Sequence, residues 1–240
     1  MTARQGARQA TRQTAQQATR QAARRGPGER VGLSRQQVLD AALGLVDRNG
    51  LKGLTMRALG LELGVEAMTL YHYVPHKDAL LDGLVEQVFT AATPATDGAA
   101  DWRTALRTYA TALREGLLRH PAVLPLAASR PAVTPATLDG LEALLRLLTA
   151  GGFPLGRALH ALNSLTVFVV GHATAEAAIT VGAGEAGGAD WLAALEAERY
   201  PLLVRAATER AGTDDAERFA FALDALLLGF DALAPAPRSD

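Results

Sequence analysis

Apolar positions along this chain return at helical intervals. Val38, Ala42, Leu45 and Val46 repeat in this way. Ser34 and Gln37 just upstream are spaced to cap each other's backbone amide, with Leu33 and Val38 placed as a hydrophobic staple across that start. Asn49-Gly50 reads as the stop, with Gly50 as a left-handed cap. Thr55 can cap the next helix, in which Leu59 and Leu63 share a face with Gly60 between them. Gly64 breaks that pattern, and Val65, Leu70 and Tyr73 give an apolar stripe to a second short segment. Pro75 ends it, because a proline disfavours helical geometry in the residue before it. A fourth helix starts near His76-Lys77 and carries Leu80, Leu81, Leu84, Val85 and Val88. Further helices are predicted near 101–119, 121–128, 136–150, 154–180, 190–210 and 214–233, several of them opened by Pro121, Pro131, Pro135 or Pro154. The expected fold class is all-α: a three-helix, helix-turn-helix N-terminal domain and a larger C-terminal helical domain.

Segments 55–63 and 66–73 have the layout of two short helices crossing steeply. A residue as small as Gly60 admits close approach, and Gly64 can take the positive φ of a sharp turn. The second segment would then present Ala67, Met68, Thr69 and His72 to a DNA groove. Two packed helices with no DNA role would show the same spacing.

Charge changes this picture in one respect. Residues 1–30 hold seven arginines against one acid, Glu29. Residues 31–90 hold five basic and seven acidic side chains, and residues 91–240 twelve and seventeen. A slightly negative head is poorly matched to a polyanion by bulk charge, so its few cations must sit at phosphates or another segment must help. Arg4, Arg8, Arg12, Arg20 and Arg24 fall at multiples of four in a tract without Leu, Ile, Val, Phe or Trp from residue 3 to 30. Such a tract cannot bury enough apolar surface to offset ordering entropy, and disorder is expected. It is either a DNA arm or an inert tail; without an apolar face it suits neither a transit sequence nor a membrane-surface helix. The boundaries predicted are a 1–30 arm, a 31–89 helix-turn-helix domain and a second helical domain over 90–240, to which the resemblance given below assigns effector binding and dimerisation.

No cysteine is present, which excludes disulfides and thiolate zinc sites. No secretory signal is expected, and the apolar run from Leu155 to Ile179, interrupted by His160, Asn163, His172 and Glu176, reads as a buried or interface helix and not a membrane span. The glycine-rich 182–188 stretch reads as a flexible loop; no phosphate-loop lysine follows it. His172 and Glu176 are four apart and could hold a metal, but a structural pair is the commoner outcome. No nucleophile–base pair or dense ligand cluster supports a helical enzyme built on His160, His172 or Glu176.

The run AALGLVDRNGLKGLTMRALGLELGV, followed by MTLYHYVPHKDALLDGLVEQVF, resembles the DNA-binding domain of the TetR family of bacterial transcriptional regulators. Asp101-Trp102, Arg130-Pro131, Gly152-Phe153 and Leu228-Gly229-Phe230 extend the likeness toward its tetracycline-repressor branch. The resemblance implies a recognition helix at about Glu66 to Tyr73. Ala67, Met68, Thr69 and His72 would lie at base edges, with Tyr71, Tyr73, Thr55, Arg57 and Lys77 at the backbone. It implies a homodimer built on the helices near 154–180 and 214–233, where Phe219, Leu223, Leu226, Leu227 and Phe230 form a stripe, and double-stranded operator DNA as partner. It places an effector among Tyr109, Leu113, Leu126, Ser129, Leu141, Leu144, Asn163 and Thr166. Thr93 and Leu126 stand where the branch's archetype presents histidines to a magnesium–tetracycline chelate. A more apolar small molecule is therefore expected, with no metal and no cofactor. The function implied is a cytoplasmic, nucleoid-associated repressor, not an enzyme, released from a palindromic operator by its effector. A DNA-binding regulator without a small ligand is the alternative.

Overall fold

The structure is a computed structural model, and it describes residues 32–93, 101–130, 132–182, 195–212 and 214–233. The chain divides into two compact units, Met1–Gln37 and Val38–Asp240. The arginine tract and the 182–188 loop expected from the sequence lie outside the described residues, apart from Gly182.

In the first unit the described residues are the start of a helix. The Ser34 amide donates to Gln37 Oε1 at 2.8 Å and the Gln37 amide donates to Ser34 Oγ at 3.2 Å, the reciprocal cap expected from the two side chains.

Among the described residues all regular structure is helical. The elements are α1 (Arg35–Gly53), α2 (Met56–Leu63), α3 (Ala67–Leu70), α4 (Lys77–Ala92), α5 (Trp102–Arg119), a 3₁₀ turn (Pro121–Val123), α6 (Leu124–Ala127), α7 (Pro135–Ala150), α8 (Leu155–Gly182), α9 (Pro201–Glu209) and α10 (Asp215–Leu233). Gly50 interrupts α1 at φ 67 and ψ 174. This is an extended mirror-image conformation that only glycine reaches easily, so the helix kinks there and resumes for one turn instead of stopping. Of the helix expected over 190–210, residues 190–194 lie outside the described residues, residues 195–200 form a turn, and Pro201–Glu209 is helical. Pro201 explains the late start. It forces Tyr200 out of helical geometry (φ −128, ψ 52) and then supplies a preset φ at the first helical position.

Within the second unit, α4 lies along α5 and α5 along α8, with α7 packed across all three. Leu80, Leu84 and Val85 of α4, Leu106, Tyr109 and Leu113 of α5, and Leu144, Leu162 and Leu165 further on are buried, so one apolar core runs through these helices. Trp102 closes one end edge-on against Phe153, ring centroids 4.9 Å apart. Its helix is started by Asp101, whose carboxylate accepts from the amides of Arg103 and Thr104 at 2.8 and 3.1 Å. Those bonds, led by the Thr104 hydroxyl, hold the Asp101 carboxyl below its ordinary 3.8. The α10 helix buries Phe219, Leu223 and Leu227 and packs on α8; Leu226 and Phe230 of the expected stripe are half-buried. Helix α9 buries none of its residues. No helix among the described residues is long and apolar enough to cross a membrane.

Candidate nucleic-acid interface and ligand cavity

The turn between α2 and α3 is built from backbone bonds. Gly64 is left-handed (φ 67, ψ 30). Its amide donates to Leu61 O at 3.3 Å, and the Val65 amide donates to Gly60 O at 2.9 Å. That pair of hydrogen bonds back into the last turn is a Schellman closure, and only glycine takes its central conformation without strain. Gly60 serves the crossing itself, because a Cβ there would lie 2.8 Å from the Val65 carbonyl oxygen and 3.2 Å from the Ala67 amide nitrogen. Thr55 starts α2 by accepting from the Ala58 amide at 3.0 Å.

The reading segment is shorter as an α-helix than Glu66 to Tyr73. A single turn, Ala67–Leu70, is followed by tighter bonds, Tyr71 to Met68 O, His72 to Thr69 O and Tyr73 to Leu70 O, which carry the winding to Tyr73. Leu70 and Val74 are buried and anchor it. The other side faces outward: Met68 is 72% exposed, Tyr71 and His72 are exposed, and Ala67, Thr69 and Tyr73 are half-buried. Arg57, at the start of α2, and Thr55 are exposed. Lys77 is exposed at the first position of α4, where His76 Nδ1 accepts from the Ala79 amide at 3.0 Å. Leu61, 77% exposed on α2 beside this turn, was not singled out from the sequence. Arg48 is paired with Glu62 at 2.8 Å, whereas Lys52, Arg57 and Lys77 have no carboxylate partner among the described residues. These three cations are free for phosphate oxygens.

Polar contacts tie this head to the helices behind it. His120 Nδ1 lies 2.9 Å from Asp47 Oδ2, and Gln87 Nε2 donates to Asp40 Oδ1 at 2.6 Å. Arg130, in the loop after α6, donates to Asp82 Oδ1 at 2.7 Å and to Asp78 Oδ1 at 2.8 Å. The bond to the Arg130 guanidinium holds the Asp78 carboxyl below its ordinary 3.8.

Behind α4 the helices line an open cavity of about 740 Å³. Tyr109, Leu141, Asn163 and Thr166, all named from the sequence, line it. Leu113, Leu126 and Leu144, also named, are buried in the core and do not reach its wall. Ser129 turns its hydroxyl back to Pro125 O at 2.7 Å, and Thr93 bonds Phe89 O at 3.1 Å at the end of α4; neither lines the cavity. Phe89 from α4, Arg130, and Leu162, Val167, Val170 and Thr174 from α8 are also on the wall and were not foreseen. Burial pushes the Tyr109 hydroxyl above its ordinary 10.0, against a 3.3 Å contact with Thr166 Oγ1. A neutral phenol and a neutral amide are thus the cavity's polar groups beside Arg130 and two threonines.

Neither histidine named as a possible metal or catalytic residue stands in such a site. Glu176 accepts two bonds from Arg114, at 2.9 and 2.7 Å, and lies 3.6 Å from His172. His160 is exposed at the rim of a separate 240 Å³ hollow with Phe153 and Phe230. Among the described residues no group of three or more His, Asp or Glu side chains could hold a metal ion.

Residues 38–84 match the family described as bacterial regulatory proteins, tetR family, and residues 93–234 match the tetracycline repressor-like C-terminal domain. The chain is 32% identical over 227 residues to the HTH-type transcriptional repressor DrrR1 of Streptomyces coeruleorubidus, covering 90% of this chain and 83% of that one. It is 33% identical over 204 residues to the class D tetracycline repressor protein of Escherichia coli, covering 83% and 89%. Among solved structures it resembles ActR of Streptomyces coelicolor in complex with actinorhodin, with a TM-score of 0.73, 27% identity, and 86% and 99% of the two chains covered. The reading segment, the cavity behind it and these relatives agree, and the chain belongs to the TetR family of DNA-binding transcriptional regulators, with a tetracycline repressor-like C-terminal domain and no enzymatic role.

Proposed function

We propose that the protein is a homodimeric repressor that leaves a palindromic operator when a small, largely apolar molecule enters the cavity. One observation carries the ligand response: α4 begins at Lys77, beside the reading segment, and near its other end supplies Phe89 to the cavity wall. One short rod therefore spans both sites, and a ligand that displaces Phe89 also moves Lys77. The relatives' names point the same way, since one is a repressor and another was crystallised with actinorhodin. A cavity of this size disfavours the reading without a small ligand.

Dimerisation is supported by apolar side chains left uncovered on α8 and α10. Phe221 is 78% exposed, Leu228 70% and Val167 64%. Two reading heads related by a two-fold axis would enter successive major grooves of one duplex. In this reading Ala67, Met68, Thr69 and His72 meet bases, while Thr55, Arg57, Tyr71, Tyr73 and Lys77 meet the backbone, and the repressor works in the cytoplasm. Deleting the arginine tract, residues 1–30, is expected to weaken binding and make its salt slope shallower if the tract is a DNA arm, and to leave both unchanged if it is an inert tail.

Fluorescence anisotropy on the duplex upstream of the protein's own gene tests the docking. Thr69→Ala is expected to weaken binding about tenfold. Lys77→Ala is expected to weaken it and to make the salt dependence shallower by about one unit of slope per lysine. Unchanged binding in both variants would overturn the docking. By linkage, operator DNA must weaken effector binding by the same factor that effector weakens DNA binding.

A further inference from the structure

Arg130 is the only charged side chain on the cavity wall among the described residues. Its guanidinium has five N–H donors. Three are used, one on Asp82, one on the Asp78 carboxylate and a longer one, 3.4 Å, on the Asp78 carbonyl. Two donors have no protein acceptor among the described residues. The rest of the wall is apolar or neutral: Phe89, Leu141, Leu162 and Val170, with Tyr109 and Asn163. We infer that the cavity takes an apolar molecule bearing one acidic group, and that Arg130 is the residue that selects it. This rests on the proposed ligand-responsive function and names the chemistry of its ligand.

Two carboxylates already flank Arg130, so an added anion must compete with them. Their exposure decides the competition. Asp78 is 71% exposed and Asp82 46%, so water screens both. An acid in the cavity meets the two guanidinium N–H groups that neither aspartate occupies, and its charge offsets the pull of Asp78 and Asp82 on Arg130. Capture of Arg130 from the cavity side draws it away from Asp78, which sits next to Lys77 at the start of α4. The acidic group would then do two things, hold the ligand and loosen the contact that fixes the reading head.

The test uses the full-length protein and two fluorescent probes of nearly the same shape. These are 8-anilinonaphthalene-1-sulfonate, which is anionic, and N-phenyl-1-naphthylamine, which lacks the sulfonate. The wild-type protein is expected to bind the anionic probe about tenfold more tightly than the neutral one, and Arg130→Gln to remove most of that preference. Arg146→Gln, an exposed charge on α7 away from the cavity, is expected to keep it and so controls for binding to the general surface. Equal or tighter binding of the neutral probe by wild type overturns the inference without any variant. A preference that survives Arg130→Gln also overturns it, while leaving the ligand-responsive function standing. If neither probe binds, both fall.

Discussion

A methyl group on Gly60 would stand 2.8 Å from the backbone oxygen of Val65, with no side chain there to move aside. The crossing of α2 and α3 must open to admit it. Gly60→Ala is expected to lower stability by about 1–3 kcal/mol, as overpacking does, and to weaken DNA binding more than stability alone explains. Urea denaturation and anisotropy measure the two effects; a variant with wild-type midpoint and affinity would show that the close approach is unimportant. Local features of this kind were legible in the sequence. Ser34 with Gln37, Thr55 and Gly64 each act on partners within one turn of themselves. Arg130 was not legible as a cavity residue, because its partners Asp78 and Asp82 lie 52 and 48 residues away. Leu113, which the resemblance places with Tyr109, lies one turn further along α5 and is buried in the core, while Tyr109 lines the cavity.

Among the helices, α8 holds a titratable side chain in apolar surroundings. His172 lies between Phe168 and Phe219, at centroid distances of 5.7 and 5.2 Å, and neither ring nitrogen has a hydrogen-bond partner among the described residues. Burial lowers its pKa from 6.5; Glu176 opposes the shift, Arg114 adds to it, and Asp215 and Arg218 act weakly in opposite senses. The unfolded chain therefore binds this proton at a higher pH than the folded chain does. Stability contributed here is complete above about 6.5 and declines as the pH falls from 6.5 toward the lowered value. The melting temperature is expected to drop between pH 7.5 and 5.5, and His172→Phe to flatten that drop; equal slopes in the two proteins would refute it. Helix ends divide in the same way between legible and hidden. Pro135 and the caps at Thr55 and Asp101 mark their helices well. The start of α9 was hidden: the helix expected over 190–210 runs through residues 195–200, which form a turn, and Pro201 decides where α9 begins.

At the scale of the molecule, Phe221, Leu228 and Val167 give α8 and α10 an apolar surface that a lone chain leaves in water. Phe221→Asp with Leu228→Asp is expected to convert a dimer of about twice 25.2 kDa to monomer in sedimentation velocity, and with it to abolish operator binding. A double variant that stays dimeric would place the interface elsewhere. The family, the all-α class and the helix-turn-helix could be recognised from one continuous run of residues. The cavity wall could be recognised only in part, because it gathers side chains from α4, α5, α7, α8 and the loop around Arg130, and no single stretch of sequence records that meeting.

Protection of guanine N7 from dimethyl sulfate on the upstream duplex reports directly which groove the reading segment occupies. Two protected clusters about one helical turn apart are expected, both weakened by Thr69→Ala. Full methylation at every guanine while the protein remains bound would show that the segment from Ala67 to Tyr73 does not enter the major groove.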